Sequence, residues 1–136
     1  MNDPRTLIDR YTAAVQAVDK QALLNLYSPE ATMFDAFMQW QCRGPEEWSA
    51  HLEDWFSHMS TNGSAANATN VEIKATDDMA LLTMFMHYSD QREDGENEGM
   101  SNRLTWVAVP NGEDWVIAHE HTSVPLNDDM TPILEP

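Results

Sequence analysis

The sequence predicts an α+β fold, with helices first and a curved antiparallel sheet after them. Two observations carry this. Apolar residues recur at helical spacing as far as Met59, and from Val71 onward they fall into alternating or continuous apolar runs. Helical patterns followed by strand patterns lay the helices on one face of the sheet.

Asp3-Pro4 reads as a helix start, a capping side chain followed by proline at the first helical position. Leu7, Ile8, Tyr11, Ala14 or Val15, and Val18 then recur at helical spacing. Asp19 caps a second short helix carrying Ala22, Leu23, Leu26 and Tyr27, and Ser28-Pro29 ends it, because the residue before proline avoids helical angles. Ala31 to Phe37 reads as a short strand around one charge, Asp35. Gly44-Pro45-Glu46-Glu47 opens a third helix, its acids complementing the dipole, and Trp48, Leu52, Trp55, Phe56 and Met59 form a wide apolar stripe.

Thr61 to Ala68 is small and polar, a loop. Val71, Ile73 and Ala75 alternate with polar residues in a strand, and Met79 to Ser89 is apolar enough for a central one. Asp90 to Gly99 reads as an acidic loop. A hairpin follows, with arms Arg103–Val109 and Trp115–Ser123 around the turn Pro110-Asn111-Gly112-Glu113-Asp114. Closing a five-residue turn sets Arg103 opposite His121, Thr105 opposite His119, Leu104 opposite Glu120 and Trp106 opposite Ala118. The tail from Val124, with three prolines and three acids, is expected to be partly mobile.

At 136 residues the chain is long enough for one domain and one core, and no internal repeat or linker divides it. Its 23 acidic and 7 basic residues give a net charge of −16, which repels phosphate backbones and anionic membrane surfaces, so neither nucleic acid nor membrane is an expected partner. No apolar run reaches a membrane span, the N-terminus does not read as a signal peptide, and the single Cys42 fits a reducing compartment. The expectation is a cytoplasmic protein.

Few residues stand out chemically. Asp35 is a lone carboxylate among Phe34, Ala36 and Phe37, and burial there without a partner would raise its pKa, as a general base requires. His119-Glu120-His121 puts two imidazoles on one strand face at a spacing metal sites use, but no third ligand is evident, and neither metal nor cofactor is expected. Cys42 has no neighbouring base. Met33, Met38, Met84 and Met86 suit an adaptable apolar lining.

Several stretches resemble the nuclear transport factor 2-like superfamily, and within it the SnoaL-like and ketosteroid-isomerase-like proteins. They are Arg10 to Val15, Asp19, Tyr27 to Asp35, Gly44 before the long helix, and Gly112, Trp115 and His119 to Ser123. The chain also resembles the association domain of calmodulin-dependent kinase II. The resemblance spans about residues 5–125 and leaves 126–136 as a tail. It implies a cone-shaped α+β barrel, a strongly curved sheet wrapped round a long helix with an apolar pocket between them.

From the isomerases it implies Asp35 as a general base and Tyr11 as donor to a forming enolate oxygen. The acid those enzymes carry on the penultimate strand falls near Leu104 and is missing. The same resemblance turns Glu120 and Thr122 inward, with Trp48, Phe56, Met84, Met86, Tyr88 and Trp106 as further lining and Tyr88 or Glu120 as auxiliary polar groups. Arg103, His119, His121 and Ser123, with Trp115 and Ile117, then form an outer face, which in this family commonly makes the dimer contact. Kinase-type pocket arginines fall at Met86 and Thr122, so a neutral apolar ligand is expected rather than a carboxylate. Were the odd-numbered face to turn inward, Arg103 would supply a cation and invert that preference.

Two functions stay open: a cofactor-free isomerase- or lyase-type catalyst moving a proton on an apolar carbonyl compound, and a non-catalytic binding or assembly module of the same fold.

Overall fold

A computed structural model describes residues 1–60, 63–91 and 97–136. The element order is α1 (Thr6–Ala17), α2 (Lys20–Leu24), β1 (Tyr27–Phe34), β2 (Cys42–Arg43), α3 (Gly44–Ser57), β3 (Ser64–Ala75), β4 (Ala80–Gln91), β5 (Asn97–Asn111) and β6 (Asp114–Ser123). Six strands form one open sheet in the order β2-β1-β6-β5-β4-β3. Helices packed on such a sheet are the predicted α+β cone, although the sheet does not close into a barrel. It is also mixed rather than antiparallel, because β1 runs parallel to β6.

The helices follow their apolar stripes. Leu7, Ile8, Tyr11, Ala14 and Val15 of α1 are buried, as are Trp48, Leu52 and Phe56 of α3. Asp19 caps α2 by accepting from the Ala22 amide at 3.0 Å. Asp3-Pro4 forms a turn rather than the helix start, with Asp3 accepting from the Arg5 amide and α1 beginning at Thr6.

The strands are longer than their apolar runs suggest. β3 begins at Ser64, inside the expected loop, because backbone pairing with β4 continues where side chains are small. β4 reaches Gln91 and β5 starts at Asn97, so both strands extend into the stretch expected as an acidic loop. Its residues 92–96, like 61 and 62 of the earlier loop, lie outside the described residues. The tail is tied down: Ile133 N donates to Pro125 O at 2.8 Å, and Ser101 N donates to Leu134 O.

The hairpin differs most from expectation. Its turn has two residues, with Gly112 at φ +65°, the left-handed backbone such turns need at their first position, and Asn111 pairs with Asp114. Further along, Val107 pairs with His119 but Ala108 with Ile117, so Ala118 is an extra residue. Arg103 therefore opposes Ser123, Thr105 opposes His121, Leu104 opposes Thr122 and Trp106 opposes Glu120. Before the bulge Trp115 and Ile117 are buried, and after it Glu120 and Thr122 are. The even-numbered face of β5 and the distal half of β6 thus look inward as expected, while Trp115 and Ile117, expected outside, belong to the core.

Two other ladders are also unequal. β3 carries an extra residue against β4 near Asn70, which has φ 53°, and β1 carries several against β6 between Tyr27 and Thr32. Only β4 and β5 among the long strands pair without a shift. Among the described residues, no helix is long and apolar enough to cross a membrane.

Candidate functional site

A cavity of about 390 Å³ lies between α1, α3 and the inner face of the sheet, within the size range of small-molecule sites. Trp48 and Trp55 of α3 and Tyr11 of α1 form one wall, and Tyr88, Asn102, Glu120 and Thr122 form the sheet wall. Asp35, Phe37 and Met38 line it from the segment after β1, and Met100 from β5. Phe56, Met84, Met86 and Trp106, expected to line the cavity, are buried in the core behind it.

Asp35 is placed by the parallel pairing of β1 with β6. Phe34 pairs with His121, so the next residue emerges beside Thr122. The Thr122 hydroxyl donates to Asp35 Oδ1 at 2.9 Å and accepts from the Ala36 amide at 2.8 Å. The other oxygen, Oδ2, lies 3.0 Å from His51 Nε2. Asp35 is therefore partnered on both oxygens rather than buried alone. His51 stacks on Trp48, the rings 5.1 Å apart and 10° from parallel, and its Nδ1 meets no hydrogen-bonding partner among the described residues. His51 is hidden from sequence reasoning that follows only the apolar residues of the α3 stripe. The signal was its place three residues after Trp48 and four before Trp55, on the same helix face.

Glu120 is built differently. It is 2% exposed, and Tyr27 OH and Trp106 Nε1 both donate to its Oε1, at 2.5 and 2.8 Å. No described residue bonds to Oε2. Burial pushes the Glu120 carboxyl up to about 7, Tyr27 and Trp106 pull it back, and the Asp35 charge adds to the rise. A buried carboxyl thus faces the cavity from β6, while position 104 holds a buried leucine.

Tyr11 does not touch Asp35. Its hydroxyl shares a 2.7 Å hydrogen bond with that of Tyr88. Burial raises both hydroxyls well above the ordinary tyrosine range, so both are neutral. Asn102 Oδ1 and Trp48 Nε1 are buried without a hydrogen-bond partner among the described residues. No lysine or arginine stands among the described lining residues, while Asp54 adds a third carboxyl to the wall.

Arg103, His119 and His121 face away from the cavity. Arg103 Nε donates to Ser123 Oγ at 2.9 Å, and His119 Nδ1 lies 2.7 Å from the Thr32 hydroxyl. Phe34 packs edge-on against both imidazoles. Among the described residues, no group of three or more His, Cys, Asp and Glu side chains is arranged to hold a metal ion.

A family model described as SnoaL-like domain matches residues 5–127. No curated protein matches the chain. Among solved structures the chain is similar to an NTF2-like protein of unknown function from Pseudomonas putida KT2440, at 23% identity, covering 96% of this chain and 90% of that one with a TM-score of 0.83. A second is an NTF2-like protein with a cystatin-like fold from Novosphingobium aromaticivorans, at 15% identity, 88% and 77% coverage and a TM-score of 0.74. A third is a nuclear transport factor 2 (NTF2-like) superfamily protein from Salmonella enterica serovar Typhimurium LT2, at 20% identity, 90% and 89% coverage and a TM-score of 0.66. At these identities the likeness establishes the NTF2-like fold.

Proposed function

The chain belongs to the SnoaL-like domain family, and on that premise we propose that it is a cofactor-independent isomerase or cyclase that moves a proton on a small, neutral, apolar carbonyl compound. The observation that carries this reading is the Asp35–His51 pair opening onto a cavity walled by Trp48, Trp55, Phe37 and Met38. When the Asp35 carboxylate accepts from His51 Nε2–H, the imidazole lone pair lies on Nδ1. The pair then acts as one base, oriented by Thr122 on one side and by the Trp48 stack on the other. Two tyrosine hydroxyls sharing one hydrogen bond leave one O–H free, and Tyr88, with Tyr11 behind it, can donate to oxygen that gains charge as carbon loses its proton.

The wall's charge supports a neutral ligand. A carboxylate would lose hydration, find no lysine or arginine among the described lining residues and meet Asp35 and Asp54. At an effective dielectric near ~20, one like charge at ~4 Å costs about 4 kcal/mol, enough to erase much of a micromolar affinity. The test is exchange of α-hydrogens for deuterium in a panel of cyclic ketones, followed by proton NMR. Wild type should accelerate exchange, and Asp35→Asn and His51→Gln should each lower it ~100- to 10,000-fold while unfolding normally. Unchanged exchange in both variants would remove the pair from the chemistry.

The same proposal includes a homodimer joined through the outer sheet face. Phe34, packed against His119 and His121, is 39% exposed there, and Leu81, which pairs with Val107, is 40% exposed. Light scattering at micromolar concentration should report twice the 15.4 kDa chain mass, and a monomer alone would exclude it.

A further inference from the structure

The segment between β1 and β2 carries an unusual surface. Ala36 to Cys42 holds no charged residue, in a chain with 23 acidic and 7 basic ones. Four of the eleven large apolar side chains exposed among the described residues fall at Phe34, Phe37, Met38 and Trp40, with Met38 85% and Trp40 97% exposed. The segment is tethered. Phe37 N donates to Asp35 Oδ2, Gln39 N to Phe37 O at 2.9 Å, and Cys42 Sγ to Gln39 Oε1 at 3.3 Å. Met38 holds a left-handed backbone at φ +73°, which a residue with a side chain adopts only where its surroundings impose it. A tethered backbone thus presents an indole that adds almost no burial to the fold.

Beside that indole lies an unfilled recess. An open groove of about 710 Å³ runs between the segment and the end of β6, lined by Phe34, Phe37, Met38, Trp40 and His121. No lysine, arginine or glutamate lines it among the described residues, and its one carboxylate, Asp35, is already bonded to Thr122 and His51. A projecting ring and a hollow for one on the same patch are what an isologous contact needs. A two-fold axis beside Trp40 brings each copy's ring over the other copy's hollow.

Charge selects the same occupant. A basic partner is drawn to the acidic surface and not to this neutral stretch, whereas two copies at −16 each can meet only where charge is absent. Each indole offers roughly 200 Å² and covers a comparable area of groove. The two-fold pair of rings therefore supplies about half of the roughly 1,600 Å² in a standard interface, and Phe34 and Met38 add to it.

We propose that a second copy of this chain docks here, each copy seating its Trp40 in the groove of the other. The proposal rests on the homodimer inferred above and fixes its contact at the Phe34–His121 end of the outer face. The groove shares Asp35, Phe37, Met38 and Thr122 with the cavity, so the seated ring lies behind the segment that carries the base.

The test is sedimentation velocity from about 1 to about 100 μM, a range that spans the dissociation of a typical modest dimer. Wild type should dimerise, more tightly as salt rises, because salt screens the repulsion between two acidic copies. Trp40→Ser, and His121→Glu on the groove wall, should each raise the dissociation constant at least ~100-fold. Trp40→Phe should retain most of the affinity, and Leu81→Lys, nearer the centre of the sheet, should retain all of it. Unfolding midpoints do not report on the contact, because a dimer near its dissociation constant adds little to folding stability. If Leu81→Lys dissociates the dimer while Trp40→Ser and His121→Glu leave it intact, the outer-face dimer stands and this inference falls. A wild type that stays monomeric throughout overturns both. A monomer that floats with phosphatidylcholine vesicles, and ceases to as Trp40→Ser, would give the patch to a lipid surface and likewise overturn the proposal.

Discussion

Asp35 and Glu120 share a cavity and are held in opposite ways. Asp35 sits just past the end of β1, its side chain 18% exposed, and accepts on both oxygens, from Thr122 and from His51. Glu120 sits within β6, 2% exposed, and gathers both its donors on one oxygen. Identical chemistry is thus given two characters by placement alone. A carboxyl at the end of a strand has loop backbone and a helix side chain within reach. A carboxyl within a strand has only what neighbouring strands point at it, and here those strands offer an indole and a phenol.

The largest effect that can sharpen this contrast is on stability against pH. Glu120→Gln keeps an acceptor for Tyr27 and Trp106 and removes the ionisation. A rise from 4.5 to about 7 corresponds to about 3 kcal/mol. Because the folded pKa lies above the unfolded one, this contribution is complete below the unfolded value and is lost as pH rises through the folded one. Wild type should therefore weaken relative to Glu120→Gln between about pH 5 and about pH 8, with the variant the more stable at the upper end. Urea midpoints at the two pH values measure the difference, and parallel slopes would place Glu120 among ordinary acids. A smaller effect tests the Asp35 side. Thr122→Val strips both Asp35 Oδ1 and the Ala36 amide of their partner and should cost about 1–2 kcal/mol, largely independent of pH across that window. A pH-dependent loss instead would mean that Thr122 acts through Glu120. The smallest is Trp40→Ser on the segment between β1 and β2, where the indole is 97% exposed. Its unfolding midpoint should stay within about 0.5 kcal/mol of wild type, and a larger change would show that this segment is fastened to the core through Trp40.

The parts legible in the sequence were those with a local period. The stripe of Trp48, Leu52 and Phe56 marked α3, Asp19 marked the α2 cap, and the apolar run after Met79 marked β4. What stayed hidden was pairing between distant segments. No local pattern says that β1 lies parallel to β6, yet that contact brings Asp35 to Thr122. Nor does local alternation reveal Ala118, because the residues on both sides of it read as ordinary strand. The inward direction of Glu120 followed from resemblance, whereas its two donors, Tyr27 and Trp106, depended on the shifted register. His51 was legible in principle, as a polar residue on an apolar helix face.

The unequal ladders bear on how this cavity comes to have its volume. An extra residue lengthens one rail of a strand pair by about 3.3 Å, and two rails of different length tied at both ends must arch, as a wall does when one course carries an extra brick. Here β6 is longer than β5 by Ala118, β3 is longer than β4 near Asn70, and β1 is longer than β6 before Thr32. The hollow under the sheet is then a product of differences in chain length rather than of the size of the side chains lining it. Trimming Trp48 or Trp55 would change the texture of the chamber, whereas removing Ala118 keeps Ile117, Glu120 and Thr122 on one face and takes away curvature. Span and lining are separate variables in this architecture, and a single codon adjusts the span.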